Sequence, residues 1–252
     1  MDPSLRDNAL ARAPWRDLLL AGAGLALLLG LSRGLLGLPA GSLAMAGALY
    51  VLLALLLITG LHVSRSRFGP ADRVTLSRAV LVVFLTSLIP QPQLLQQLAW
   101  PFALLSLGAL MLDGVDGYVA RRTGTASRFG ARFDMELDAF FILMLCTAVM
   151  VLGKAGPWVL LIGLVRYGFV MAAWHWRWLD GDLSESFRRK TVCVWQLVTL
   201  LVALAPPTPD GFAGATLILA LGLLVWSFAV DIHYLYQQAR RGGCDEASEE
   251  DR

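Results

Sequence analysis

Apolar residues run through this chain in long blocks separated by short polar stretches. A helix crossing a bilayer needs about 20 largely apolar residues, and about eight blocks meet that rule: 17–34, 41–63, 73–90, 95–120, 131–152, 157–177, 189–205 and 212–237. Three of the breaks contain helix-ending residues, "PQPQ" after Ile89, "GKAGP" from Gly153 and "PPTPDG" from Pro206. The expected fold is all-α, a polytopic membrane helix bundle. Gly22, Gly24, Gly30 and Gly34 suit a close-packed face on the first helix. That first block imitates a secretory signal, but a second apolar block follows almost at once, so a retained first helix is expected.

Composition agrees. Hydrophobic residues make up 57% of the 252 and charged residues 16%, a balance that a water-soluble domain would find hard to keep in solution. A net charge of +2 is too small to suggest nucleic acid, and no nucleic-acid partner is expected. The basic residues cluster at alternate breaks: Arg6, Arg12 and Arg16; Arg65, Arg67 and Arg73; Arg121, Arg122, Arg128 and Arg132; Arg177, Arg188, Arg189 and Lys190; Arg240 and Arg241. The opposite loops hold little beyond Arg33 and Lys154. By the positive-inside rule both termini are expected on the cytoplasmic side of a bacterial-type cell membrane. The acidic end "CDEASEEDR" reads as a disordered, solvated tail over 239–252. Cys146, Cys193 and Cys244 have neither metal-ligand spacing nor a disulfide framework. "LDGDLSES" from Leu179 lacks the remaining ligand positions of a calcium loop.

Against this background the stretch "DGVDGYVARRTGTASRFGARFDMELD" stands out. Asp113, Asp116, Gly117 and Ala120 fall at i, i+3, i+4 and i+7, so two acids and two small residues share a helix stripe. Gly130, Asp134 and Asp138 recur at intervals of four on the next helix. Antiparallel neighbours joined by a short loop would turn the two stripes together near the membrane surface, converging four carboxylates. Like charge and desolvation both oppose such a cluster unless acids are protonated or cations bind. All-oxygen ligands suit a hard ion such as Mg²⁺, Mn²⁺ or Ca²⁺. Two divalent ions would balance four aspartates and form a clamp suited to phosphoryl transfer. Gly117 and Ala120 would leave a recess for a flat base or a diphosphate.

The pattern D-x2-D-G-x2-A-R-x8-G-x3-D-x3-D, met by Asp113, Asp116, Gly117, Ala120, Arg121, Gly130, Asp134 and Asp138, resembles the signature of the CDP-alcohol phosphotransferase family of membrane phospholipid-synthesis enzymes. The resemblance implies a catalytic six-helix core over 72–238, with two added helices within 1–71. It implies metal ligation by Asp113, Asp116 and Asp134, with Asp138 also at the metal centre and acting as the base. Mg²⁺ or Mn²⁺, as two ions, would be the cofactor. Gly117, Ala120, Arg121 and Gly130 would lie on the nucleotide side. "DRVTLSR" resembles the family's N-x-x-T-x-x-R stretch, adding Thr75 and Arg78 as nucleotide or phosphate contacts, while Asp72 stands where the family has asparagine. An Asp at a helix start is also an ordinary N-cap.

The implied reaction moves a phosphatidyl group from a CDP-linked lipid, CDP-diacylglycerol first, to a small polar alcohol in the bilayer's aqueous margin. Arg166, inside an apolar helix, needs a neutralising partner, either a carboxylate or a substrate phosphate. Arg188, Arg189 and Lys190 open the following helix as further phosphate contacts. Lys190, Thr191 and Gln196 resemble a stretch of glycerol-phosphate-using members, which makes glycerol 3-phosphate the first acceptor and inositol phosphate the alternative. Asp231 is expected to pair with Arg166 or an interfacial arginine, and a homodimer is compatible with the pattern. An ion-coupled transporter would also use intramembrane acids, but would place them mid-membrane in two related halves.

Overall fold

Without water inside a bilayer, a spanning segment must satisfy its own backbone, and the helix does so with local hydrogen bonds. Each apolar block has taken that solution. The computed structural model describes residues 13–64, 68–123, 127–175 and 187–250, and among them no strand occurs. The elements are α1 (Ala13–Leu36), α2 (Ala40–Ser64), α3 (Pro70–Leu88), the short α4 (Pro92–Gln97), α5 (Ala99–Thr123), α6 (Arg128–Val151), a 3₁₀ turn at Pro157–Val159, α7 (Leu160–His175), α8 (Phe187–Leu204) and α9 (Asp210–Glu250). Among the described residues eight long helices therefore stand at the eight expected spans. Trp15–Leu36, Ala40–Ser64, Ala99–Val119 and Asp210–Gln237 are long and apolar enough to cross a membrane by length and composition. Pro157–Phe169 and Thr191–Leu204 are shorter apolar stretches.

Three local expectations are revised. The block expected at 95–120 is split, because Pro101 cannot donate a hydrogen bond to residue 97. α4 ends at Gln97, and α5 restarts with the Phe102 N–H on Leu98 O at 2.8 Å. The segment read as a disordered tail continues α9 as far as Glu250. Ala, Arg and Glu there are good helix formers, and Gly242 and Gly243 each cost only about 1 kcal/mol. Of the four glycines on α1, Gly22 is closely packed: a Cβ there would lie 3.1 Å from Cε1 of Tyr50, whereas Gly24, Gly30 and Gly34 meet nothing within 4 Å among the described residues.

The outward faces identify the solvent. On α1, Leu18, Leu25 and Leu29 are buried, while Leu19, Leu20, Leu27 and Leu35 are more than 70% exposed. Repeated along α2, α5 and α9, such a surface would aggregate in water and is suited to hydrocarbon. The protein is an integral membrane protein.

The chain folds as two compact units, Met1–Met144 and Leu145–Arg252, so the two N-terminal helices share a unit with α3, α4, α5 and most of α6. α3 is the centre of the first unit, packed on α5 and also on α1 and α2. Leu18, Leu57, Leu76 and Phe129 form one buried cluster that joins α1, α2, α3 and α6. The Tyr50 hydroxyl donates to Leu18 O, and Arg73 pairs with Asp17 at 2.9 Å.

In the second unit α9 packs on α8 and α7. Phe169 meets Phe228 edge-on at 5.2 Å. Lys154 donates to Thr208 O at 2.7 Å and pairs with Asp210 at 3.0 Å, tying the two proline-glycine turns together. Asp231 finds its partner in Arg188, whose Nη2 donates at 2.5 Å while Nη1 donates to Ser227 O and Oγ at 2.6 and 2.8 Å. The guanidinium also lies over the Trp226 ring at 5.5 Å. The Arg188 and Asp231 side chains are 22% and 11% exposed, so neither charge has water as a full alternative. Asp231→Ala is expected to destabilise the protein by about 3 kcal/mol, and an Arg188→Met/Asp231→Leu double variant to recover most of that loss. Thermal unfolding in detergent measures both, and an unaffected Asp231→Ala would show the pair to be idle.

Candidate functional site

Three helices of the first unit each deliver a charged side chain to one point. α5 brings Asp113, α6 brings Asp134 and Asp138 from successive turns of one face, and α3 brings Arg78. One carboxylate oxygen from each aspartate lies within 4.8 Å of the others. Arg78 Nη1 donates to Asp113 Oδ1, and Nη2 donates to Asp134 Oδ1 at 2.5 Å and lies 3.1 Å from Asp138 Oδ1.

Exposure is divided unequally. The Arg78 side chain is 2% exposed, whereas Asp113, Asp134 and Asp138 are 31%, 37% and 32% exposed. The guanidinium thus backs the cluster from inside, and the carboxylates keep an open side. With all three ionised, three negative charges against one positive leave a surplus of two. An all-oxygen donor set carrying that surplus fits a hard divalent cation.

Close packing beneath the cluster explains Gly130. A Cβ there would fall 2.6 Å from Asp72 Oδ1 and 3.1 Å from Ser127 Oγ, so any side chain at this position would have to displace Asp72 where α6 starts against α3. Ser127 Oγ accepts the Gly130 N–H at 2.9 Å. Asp72 is not the N-cap expected of it. The cap is Gly69, and Asp72, in the first turn, accepts the Gly69 N–H at 2.7 Å. Burial raises the Asp72 carboxyl above its ordinary pKa, and that N–H offsets part of the rise.

The other expected residues are distributed as follows. Thr75 is buried on α3, with its hydroxyl donating to Ala71 O at 3.2 Å. Gly117 is half-buried on α5. The side chains of Asp116, Ala120, Arg121, Arg189 and Lys190 lie outside the described residues, as do residues 176–186 with their acidic stretch. In the second unit Arg166 is half-buried on α7, while Arg188 is engaged with Asp231 and Ser227. Gln196 on α8 is 4% exposed, and its Nε2 has no hydrogen-bond partner among the described residues.

The contact between Arg78 and the acids was missed in the sequence, although a signal existed. An arginine in "TLSRAVLVVF" needs a counter-charge for the same reason that Arg166 does.

A sequence profile described as CDP-alcohol phosphatidyltransferase matches residues 68–226, more than half of the chain and the whole of this cluster. The chain belongs to the CDP-alcohol phosphatidyltransferase family. The matched region starts just before α3, so α1 and α2 precede it. Two Arabidopsis thaliana proteins are similar to it. One is CDP-diacylglycerol--glycerol-3-phosphate 3-phosphatidyltransferase 2, 27% identical over 154 residues, which cover 52% of this chain and 65% of the relative. The other is the chloroplastic/mitochondrial CDP-diacylglycerol--glycerol-3-phosphate 3-phosphatidyltransferase 1, 27% identical over 152 residues, covering 52% and 51%. The chain thus spans less than two-thirds of either relative's length. No solved structure matches it.

Arg78→Leu would leave three carboxylates facing one another without their guanidinium. In metal-free buffer it is expected to cost about 3 kcal/mol of stability. Titrating Mn²⁺ should then raise the unfolding temperature more in the variant than in the native protein. Equal increments would show that Arg78 does not compensate the acids.

Proposed function

We propose that this protein transfers a phosphatidyl group from CDP-diacylglycerol to the hydroxyl of glycerol 3-phosphate, releasing CMP, at the carboxylate cluster. The observation that carries the reading is the convergence of Asp113, Asp134 and Asp138 in a chain of the CDP-alcohol phosphatidyltransferase family. The names of the two Arabidopsis relatives supply the donor and the acceptor.

Asp113, Asp116, Asp134 and Asp138 would hold Mg²⁺ or Mn²⁺, two ions in the full site. Bound there, the metal would neutralise the donor diphosphate and the charge growing on the departing CMP oxygen. Asp138 takes the proton of the acceptor hydroxyl. The freed oxygen attacks the phosphorus that carries the diacylglycerol, the bond from that phosphorus to the CMP oxygen breaks, and CMP leaves with the electron pair. Arg78, at the back of the cluster, fixes the aspartates. Thr75, Gly117, Ala120 and Arg121 border the nucleotide, and Gly130 serves that region by letting α3 and α6 close.

Arg166, Arg189 and Lys190 bind the acceptor phosphate. Arg188, already paired with Asp231, contributes by holding α8 on α9. A centre at helix ends suits both substrates, because the donor keeps its acyl chains in lipid while its nucleotide and the acceptor arrive from water. The centre and both termini face the cytoplasm, and a homodimer is compatible with this arrangement.

The deciding experiment supplies purified protein with labelled CDP-diacylglycerol, Mg²⁺ or Mn²⁺, and in turn glycerol 3-phosphate, inositol phosphate, inositol and serine. CMP release is expected with glycerol 3-phosphate. Release with inositol phosphate alone would reassign the acceptor, and release with none would overturn the reaction. Asp138→Ala should lower kcat by about 10²-fold or more, and full turnover would remove Asp138 as the base. Arg166→Ala should raise the KM of the acceptor more than that of the donor, whereas equal effects would make Arg166 structural.

A further inference from the structure

We infer that α1 and α2, which precede the region matched by the family, position the metal-binding helix α6 by seating Phe129 in a notch at Gly60. The purpose of that positioning rests on the metal-centre reading above; the packing itself does not.

The notch is a direct contact between ring and backbone. A Cβ at Gly60 would fall 2.5 Å from Phe129 Cε2 and 3.1 Å from Cδ2, where ordinary contact begins at 3.4 Å. Any side chain at position 60 must therefore displace the ring by about 1 Å. The ring has little room to yield. Phe129 is 7% exposed, enclosed with Leu18, Leu57 and Leu76, and stacked on Phe133 at 6.1 Å with an interplanar angle of 3°. A push from α2 would consequently pass to the α6 backbone.

An adjoining face of the same turn, about 100° round the helix, is blocked as well. Gly130, the next residue, lies against Asp72 of α3 with no space for a Cβ. The first turn of α6 thus abuts α2, through Phe129, and α3, through Gly130. Asp134 and Asp138 follow Gly130 at i+4 and i+8 on one face, so the seat of that turn fixes where both carboxylates meet Arg78. The brace is itself anchored, by the Tyr50 hydroxyl on Leu18 O between α2 and α1 and by Asp17 of α1 on Arg73 of α3. Between lipid-solvated helices association depends on such close packing, and a glycine that admits an aromatic ring is one way to obtain it. A displacement of about 1 Å in a supporting residue is enough to matter for a metal site.

The test uses the full chain in lipid nanodiscs, reading Mn²⁺ affinity from the electron paramagnetic resonance of free Mn²⁺ and amide hydrogen exchange over residues 128–138. Gly60→Leu is expected to weaken Mn²⁺ binding about 10-fold and to speed exchange in that segment. A Gly60→Leu/Phe129→Ala double variant, which gives the new side chain the ring's space, should return both readings toward native. Gly47→Leu, on the same helix where a Cβ meets nothing within 4 Å, should change neither. If Gly60→Leu fails to fold, Gly60→Ala places the single clashing carbon and should move both readings in the same direction. Native Mn²⁺ affinity and native exchange in a folded Gly60 variant would overturn the proposal, as would a double variant no better than the single. Should the native protein bind no Mn²⁺, the metal reading falls, and the exchange pattern alone upholds or overturns the positioning.

Discussion

A guanidinium with almost no access to solvent can be accommodated in an apolar bundle only if carboxylates surround it. Arg78 has three, drawn from two other helices. The dependence is mutual, because three neighbouring aspartates would repel one another without a cation among them. Moving α3, α5 or α6 independently would separate opposite charges in a medium that screens them poorly. The ion cluster therefore specifies helix adjacency as well as chemistry.

The same constraint recurs at smaller scale in the second unit. Asp231 and Arg188 pair between α9 and α8, and Lys154 finds Asp210 and a turn carbonyl. In each case a charge within or beside an apolar helix is matched by one from another segment. Apolar contact alone is a weak guide to which helices should touch in lipid, since hydrocarbon solvates leucine as well as another helix does. Paired charges and tight notches supply the missing specificity. At the first unit's cluster, three acids face one guanidinium, whereas each of these second-unit pairs is balanced.

Glycine takes part where backbones come close. Gly130 and Gly60 bear no side chain because Asp72 and Phe129 occupy that space. A family pattern containing Gly130 can thus reflect the approach of α3 to α6 as readily as contact with a ligand. Gly60 lies outside the matched region, yet it adjoins the same turn of α6.

Helix number, approximate bounds, membrane character and the acidic stripe were all legible in the sequence. Each depends on local composition or on the 3.6-residue period, and "DGVDG" and "FDMELD" display both. The breaks at Leu98 and Gly69 were less legible, because one proline and one cap shift a boundary without altering the apolar pattern. Only the tertiary structure decided that Arg78 serves the aspartates, that Arg188 answers Asp231, and that Gly60 receives Phe129. Those pairings join residues 35 to 69 positions apart in the sequence. No local period encodes such a distance; it is set by which helices pack together and by the requirement that every buried charge and every ring find a place.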